Sequence, residues 1–462
     1  MNRILNIILL FMFTSGIYAQ EISGSWSGSL NIQGTNLRIV FNITKAGTLY
    51  ESTMDSPEQG AFAIPTTSTK FSDGKLEITA TALGMKFEGE LKDDSIIGTF
   101  KQGALSGPLT LIRGATNVQS RPQTPKEPFP YHSEQVAITS KDGKHTISGT
   151  FTKPFGKGLF PAIVLIAGSG PNDRDETLFN HKPFLVVSDH LTKNGFAVLR
   201  YDKRGVGKST GSYADATIDD FAEDAKLALE FLKKRADIDK SKTGLLGHSE
   251  GGIVASMVAA NNNDVNFIVL MAAPGIDGIE IVIDQNEFSM IQQKFAPDLI
   301  MKMQSVNKQM FTGLINWGGT ENEKKTLHDR LSELWELIPS QAKANLEKTS
   351  FINYQFNAMI TPGYRSFLLS KPSSYIQKIK CPVFAINGKL DSQVSATKNL
   401  NSISEALKKG GNSSSKTKIY EKLNHIFQES TTGLVTEYGK IEQTISPEVL
   451  SDITAWLKNQ TK

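Results

Sequence analysis

The chain reads as an α/β protein, a mostly parallel sheet flanked by helices with an inserted helical cap, preceded by a small all-β unit. Three observations predict this. Short alternating β-type runs fill the first hundred or so residues, a proline-rich stretch interrupts them, and strands then alternate with amphipathic helices to the C-terminus. At 462 residues the chain has room for two or three folding units.

Met1-Asn2-Arg3 carries one positive charge and leads into the apolar run Ile4 to Phe13, followed by the small residues Ser15, Gly16 and Ala19. That order predicts a signal peptide, residues 1–19, cleaved after Ala19 and followed by export to the periplasm or beyond. The run is too short to span a bilayer, so no membrane span is expected. No cysteine follows it, which argues against a lipid anchor. The single cysteine, Cys381, can form no internal disulfide and nucleates no metal cluster, so a buried, inert thiol is expected.

Residues 20–115 contain the β-type runs Leu37 to Ile43, Lys75 to Thr81, Met85 to Leu91 and Ser95 to Phe100, with turns at Ser72-Asp73-Gly74 and Lys92-Asp93-Asp94. Alternation such as Leu76-Glu77-Ile78-Thr79 is what a half-buried antiparallel strand requires. A small barrel or sandwich is expected. Trp26, Phe41 and Phe87 read as its core aromatics, with a carbohydrate-stacking platform, and so polysaccharide contact, as the alternative. In residues 116–130, Pro122, Pro125, Pro128 and Pro130 break any helix or ladder and predict an extended linker.

From residue 131 to 462 the runs Ala162 to Ala167, Phe196 to Tyr201, Thr243 to Leu246, Phe267 to Ala272 and Val383 to Ile386 are short and apolar, as central strands must be. Asp219 to Arg235 is the clearest helix, with Phe221, Ala225, Leu229 and Leu232 on one face. The rhythm breaks at about 277–372, where helical segments predict the cap.

Two G-x-S-x-G pentapeptides occur, Gly247-His248-Ser249-Glu250-Gly251 and Gly207-Lys208-Ser209-Thr210-Gly211. A nucleophile elbow needs a strand before the serine and a helix after it. Only Ser249 has both, and Gly247 and Gly251 leave room for its turn, so Ser209 reads as a turn serine. Gly207-Lys208-Ser209 also resembles the end of a phosphate-binding loop, but Asp202 stands where that loop needs its first glycine. No cofactor or metal is therefore expected. The net charge of +3 comes without a dense Lys/Arg cluster, and no nucleic-acid partner is expected.

Ser249 needs a base and a group that orients the base. Beyond His248 only His328 and His425 remain; His328 lies among the cap helices, whereas His425 follows the β-like Thr417 to Tyr420. Asp391 closes the loop after the Val383 strand, with Glu405 and Glu421 as lesser substitutes. The oxyanion hole is expected from the backbone N–H of Glu250 and of Ser169 or Gly170 in Ile166-Ala167-Gly168-Ser169-Gly170-Pro171.

With these residues in view, the chain resembles bacterial exported esterases of the α/β-hydrolase superfamily, close to the serine aminopeptidase and dienelactone-hydrolase branches. Gly247 to Gly252, Asp391, His425 and the D-x-R-G-x-G-x-S loop Asp202 to Ser209 carry the resemblance. It implies cleavage of short to medium acyl esters through an acyl-enzyme, with Arg204 holding the fold. It departs at Ala167, where many lipases place the histidine of an H-G-G signature. An aminopeptidase or amidase using the same triad is the second reading, with Glu250, Glu280 or Glu287 gripping a substrate amine; a non-catalytic binding protein is the third.

Overall fold

A computed structural model describes residues 21–462, apart from 33, 34, 48, 58–60, 104, 115–119, 261, 344 and 345. The expected signal peptide, residues 1–19, lies outside the described residues.

Nine antiparallel strands come first: β1 (Gly24–Ile32), β2 (Thr35–Ala46), β3 (Leu49–Ser56), β4 (Ala61–Pro65), β5 (Ser68–Ser72), β6 (Lys75–Ala80), β7 (Met85–Lys92), β8 (Ser95–Gln102) and β9 (Leu105–Arg113). The sheet order is β2-β1-β9-β8-β7-β6-β5-β3-β4, and a further β2–β3 pairing closes it into a barrel. Alternation along each strand sends one face inward, so the lumen is filled by side chains. Trp26, Phe41, Phe87 and Phe100 are fully buried there, and none of them offers a ring face to a ligand from solvent. Trp26 Nε1 donates to the Ile22 carbonyl at 2.7 Å, which satisfies its only donor.

The proline-rich stretch differs from an extended spacer over its described part. Arg121 donates to the carbonyls of Phe179, Gly439 and Ile441, at 2.8, 2.8 and 2.9 Å, and Gln123 bonds the backbone of Thr444 and Ile445. Proline removes donors from this segment, and the two side chains supply the hydrogen bonds that fix it to the following unit.

The second sheet contains β10 (His132–Thr139), β11 (Thr146–Lys153), β12 (Phe160–Ile166), β13 (Ala197–Tyr201), β14 (Ile238–His248), β15 (Phe267–Met271), β16 (Val383–Gly388) and β17 (Ser415–Tyr420). Their order is β10-β11-β13-β12-β14-β15-β16-β17; β10, β11 and β13 pair antiparallel, and every later neighbour pairs parallel. β13 and β15 are buried along their whole length, which is why they read as apolar runs without alternation. The helices α1 (Pro183–Lys193), α2 (Ile218–Lys234) and α3 (Glu250–Ala260) lie in the connections. A capping box between Thr217 and Asp220 starts α2, and α3, apolar all round, runs through the core.

Between β15 and β16 the chain inserts seven helices, α4 (Gly278–Gln292), α5 (Pro297–Ile315), α6 (Glu321–Leu337), α7 (Ser340–Lys343), α8 (Lys348–Met359), α9 (Pro362–Leu369) and α10 (Pro372–Ile376). Among them Val306, Met310, Leu327 and Leu331 belong to a core separate from those of the sheet. The barrel meets this insertion at an isolated bridge between Leu105 and Leu346 and where Tyr354 lies beside Gly103. His328 is half-buried on α6, stacked on Phe356 with ring centres 4.3 Å apart. Cys381 sits just before β16, where burial pushes its thiol up to about 12.

Candidate active site

The C-terminal ends of β12, β14, β16 and β17 lie along one edge of the sheet, where open α/β sheets carry their ligands. β14 ends at His248, and Ser249 follows with φ +52° before α3 begins. A non-glycine residue in this left-handed region is a strained turn held by its surroundings. Ser249 N–H donates to the Met271 carbonyl at 2.9 Å, and Gly252 N–H to the Ser249 carbonyl at 2.8 Å. A Cβ on Gly247 would lie 2.1 Å from the Gly251 carbonyl oxygen, so only glycine lets the strand and helix meet this closely.

The loop after β16 carries Asp391 and the loop after β17 carries His425. His425 Nδ1 lies 2.7 Å from Asp391 Oδ2, and both side chains are buried. The other carboxylate oxygen of Asp391 accepts from the backbone N–H groups of Gln393 and Val394, each at 2.8 Å. The carboxylate is thus locked in one orientation, with the imidazole as its third partner. His425 and Ser249 line one cavity of about 140 Å³, together with Gly168 and Ser169 from the β12 loop and Ile281, Gln285 and Phe367 from the helical insertion.

The expected oxyanion donors are placed differently from one another. Gly168 N–H is taken by Glu176 Oε1 at 2.6 Å, and Gly170, with φ +97°, is not among the residues that line the cavity. Ser169 lines the cavity beside Ser249. Glu250 opens α3 directly after the serine, and its carboxylate is buried against Lys203 Nζ at 2.9 Å, away from the cavity. Glu280 and Glu287 are exposed on α4 and do not line the cavity either.

The second pentapeptide is built otherwise. Ser209 Oγ donates to the Asp202 carbonyl at 2.7 Å and accepts from Ser148 N–H at 2.8 Å, so its hydroxyl ties the loop to β11. Asp202 is paired with Arg174 at 2.6 Å, and Arg204 grips Asp224 and Asp220 on α2 at 2.8 and 2.7 Å.

Two residues of the site escaped sequence reading. His248, taken only as the variable position of the pentapeptide, donates from Nε2 to the His425 carbonyl at 3.1 Å and bonds Glu176 Oε1 through Nδ1 at 2.9 Å. Both of its nitrogens face acceptors, an arrangement that only the imidazolium satisfies with two donors. Burial opposes that charge most strongly, but the Glu176 carboxylate, the His425 carbonyl and the nearby Asp391 charge together hold the His248 pKa above the usual histidine value. Glu176, 72 residues away in sequence, offered no spacing by which the pair could be found.

Among the described residues no group of three or more His, Cys, Asp or Glu side chains could hold a metal ion, and no helix is long and apolar enough to cross a membrane.

Parts of the chain are similar to known proteins. Residues 183–363 match the family model described as serine aminopeptidase, S33. Esterase EstD of Thermotoga maritima is 30% identical over 205 residues, 44% of this chain and 47% of that protein. Serine hydrolase BPHL of Homo sapiens is 35% identical over 107 residues, 23% of this chain and 32% of that protein. The chain thus spans half or less of the length of these relatives. A solved esterase of Pyrococcus furiosus superposes with a TM-score of 0.43 at 17% identity, over 76% of this chain and 100% of that one. The strand order, the serine turn at the end of β14 and the sequence matches identify an α/β-hydrolase fold, with an all-β barrel placed ahead of it.

Proposed function

We propose that the protein is a serine esterase that cleaves short-chain carboxylic esters through an acyl-enzyme on Ser249. The observation that carries this reading is the 2.7 Å contact of His425 Nδ1 with a fully held Asp391, in a loop that shares a cavity with Ser249. Asp391 keeps the proton on Nδ1, so Nε2 is free to act as base. Ser249 Oγ attacks the ester carbonyl carbon and passes its proton to Nε2. The N–H groups of Glu250 and Ser169 receive the oxyanion. The tetrahedral intermediate collapses, and His425 returns the proton to the departing alcohol. Water, deprotonated by the same nitrogen, then releases the acid and restores Ser249.

Two features favour short esters over aminoacyl substrates. A cavity of about 140 Å³ is small beside the ~300–1,000 Å³ that drug-sized ligands occupy. Glu176, the Asp or Glu that lines the cavity among the described residues, is taken by His248 and Gly168, and Glu250 by Lys203, so neither carboxylate is left to grip a substrate amine. We read the helices from Gly278 to Ile376 as a cap, because α4 and α9 form part of the cavity wall. A panel of nitrophenyl esters from two to twelve carbons, with aminoacyl-nitroanilides alongside, tests the reading. Activity should peak at the short esters and vanish in Ser249→Ala; faster anilide cleavage would favour the peptidase. We also propose export, from the pattern of residues 1–19; sequencing of the mature protein should begin at Gln20.

A further inference from the structure

Lys203 is almost completely buried, a rare position for a lysine, and its partners explain it. Its Nζ donates to the Gly168 carbonyl at 2.6 Å and to Glu250 Oε1 at 2.9 Å, and lies 4.5 Å from the centre of the Phe221 ring. Glu250 follows the nucleophile and supplies one oxyanion N–H. The Gly168 carbonyl belongs to the same peptide group as the other, Ser169 N–H. In a trans peptide the C=O and N–H point in opposite directions. The carbonyl is held by Lys203 and also by Asn172 Nδ2 at 2.8 Å, so the Ser169 N–H must leave on the other side. At the far end of the residue, Gly168 N–H is fixed to Glu176 at 2.6 Å.

We propose that Lys203 is a positioning residue of the oxyanion hole: one buried ammonium bridges the two segments that supply its N–H groups and sets the plane of the Gly168–Ser169 peptide. This rests on the esterase reading above. Lys203 touches no substrate and acts through the backbone, so its loss should appear in the chemical step and leave ester binding intact.

The test uses the full chain, nitrophenyl acetate and an alkylphosphonate inactivator that labels the reactive serine. Lys203→Met should lower kcat about 10- to 100-fold, less than the roughly 10²- to 10³-fold cost of losing an oxyanion donor outright, because the N–H is misaligned and not removed, with KM changed less than about 2-fold. It also strands the Glu250 carboxylate, so Lys203→Met/Glu250→Met is the decisive variant. The double variant should regain the thermal midpoint while kcat stays low, because the Gly168 carbonyl is still unheld. Asn172→Ala, at a half-exposed position, should lower kcat by about 2- to 5-fold at constant KM and gives a result even if the lysine variants do not fold. Wild-type kcat in the double variant or in Asn172→Ala, with Ser249 labelled normally, would overturn the role of Lys203 alone. A wild-type protein whose Ser249 is not labelled would overturn the esterase reading as well.

Discussion

Single side chains decide the chemistry, and here the burial of charge does most of the deciding. Asp391 accepts three hydrogen bonds, two of them from fixed backbone donors. Asp391→Asn should keep the fold but present an amide to Nδ1, favour the wrong tautomer of His425 and lower kcat by about 10⁴-fold in steady-state ester hydrolysis. Behind the nucleophile, the His248 pKa is raised in the folded state. Its contribution to stability is therefore complete below the unfolded histidine value and is lost as pH rises through the folded value. Glu176→Gln should lower the thermal midpoint most at pH 5 to 6, and the gap to wild type should narrow toward alkaline pH; a constant gap in calorimetry would contradict this. The proposed triad of Ser249, Asp391 and His425 was readable as a candidate in the sequence because chain order and flanking elements restrict the choices, and the structure brings the three to one edge of the sheet. Glu176, His248 and Lys203 could not be read this way, since their roles depend on contacts across 35 to 177 residues that no local pattern encodes.

Among elements, legibility followed periodicity and burial. The central strands stood out as apolar runs, and α2 was legible within one residue at each end because the apolar face of Phe221, Ala225, Leu229 and Leu232 is a local signal. The β10–β11 hairpin was not singled out: β11 is buried over most of its length yet built from Thr, Ser, Gly and Phe, which lack the contrast of an apolar run. Four prolines predict an extended linker, but proline content says nothing of what Arg121 and Gln123 can reach. The anchored segment runs past His181, which is fully buried between Thr444 and the Tyr438 carbonyl. Desolvation, helped by the nearby Arg121 charge, lowers the His181 pKa to about 4. A depressed histidine contributes stability above its unfolded pKa and loses it as pH falls toward the folded one. Acidification from about pH 6.5 to 4 should therefore cost on the order of 3 kcal/mol in wild type and much less in His181→Gln, read as midpoints of urea unfolding.

At the level of the whole molecule, the barrel and the hydrolase sheet have separate cores, with Trp26, Phe41 and Phe100 in one and the central strands in the other. A chain beginning at Ser120, which keeps Arg121 and Gln123, should fold and hydrolyse nitrophenyl acetate with kcat within about 3-fold of the full chain, since among the described residues none from the barrel lines the cavity. Loss of folding in circular dichroism would mean that the barrel's contact with the insertion supports the second unit. The serine, acid and histidine loops all spring from the sheet, while the cavity's far wall comes from one uninterrupted stretch between β15 and β16. Inheritance can therefore act on the two separately. A single recombination cassette replacing residues 277–376 exchanges that wall and leaves Ser249, Asp391 and His425 in place, so descendants of such a chain can diverge in the shape of the cavity without any change in these three loops.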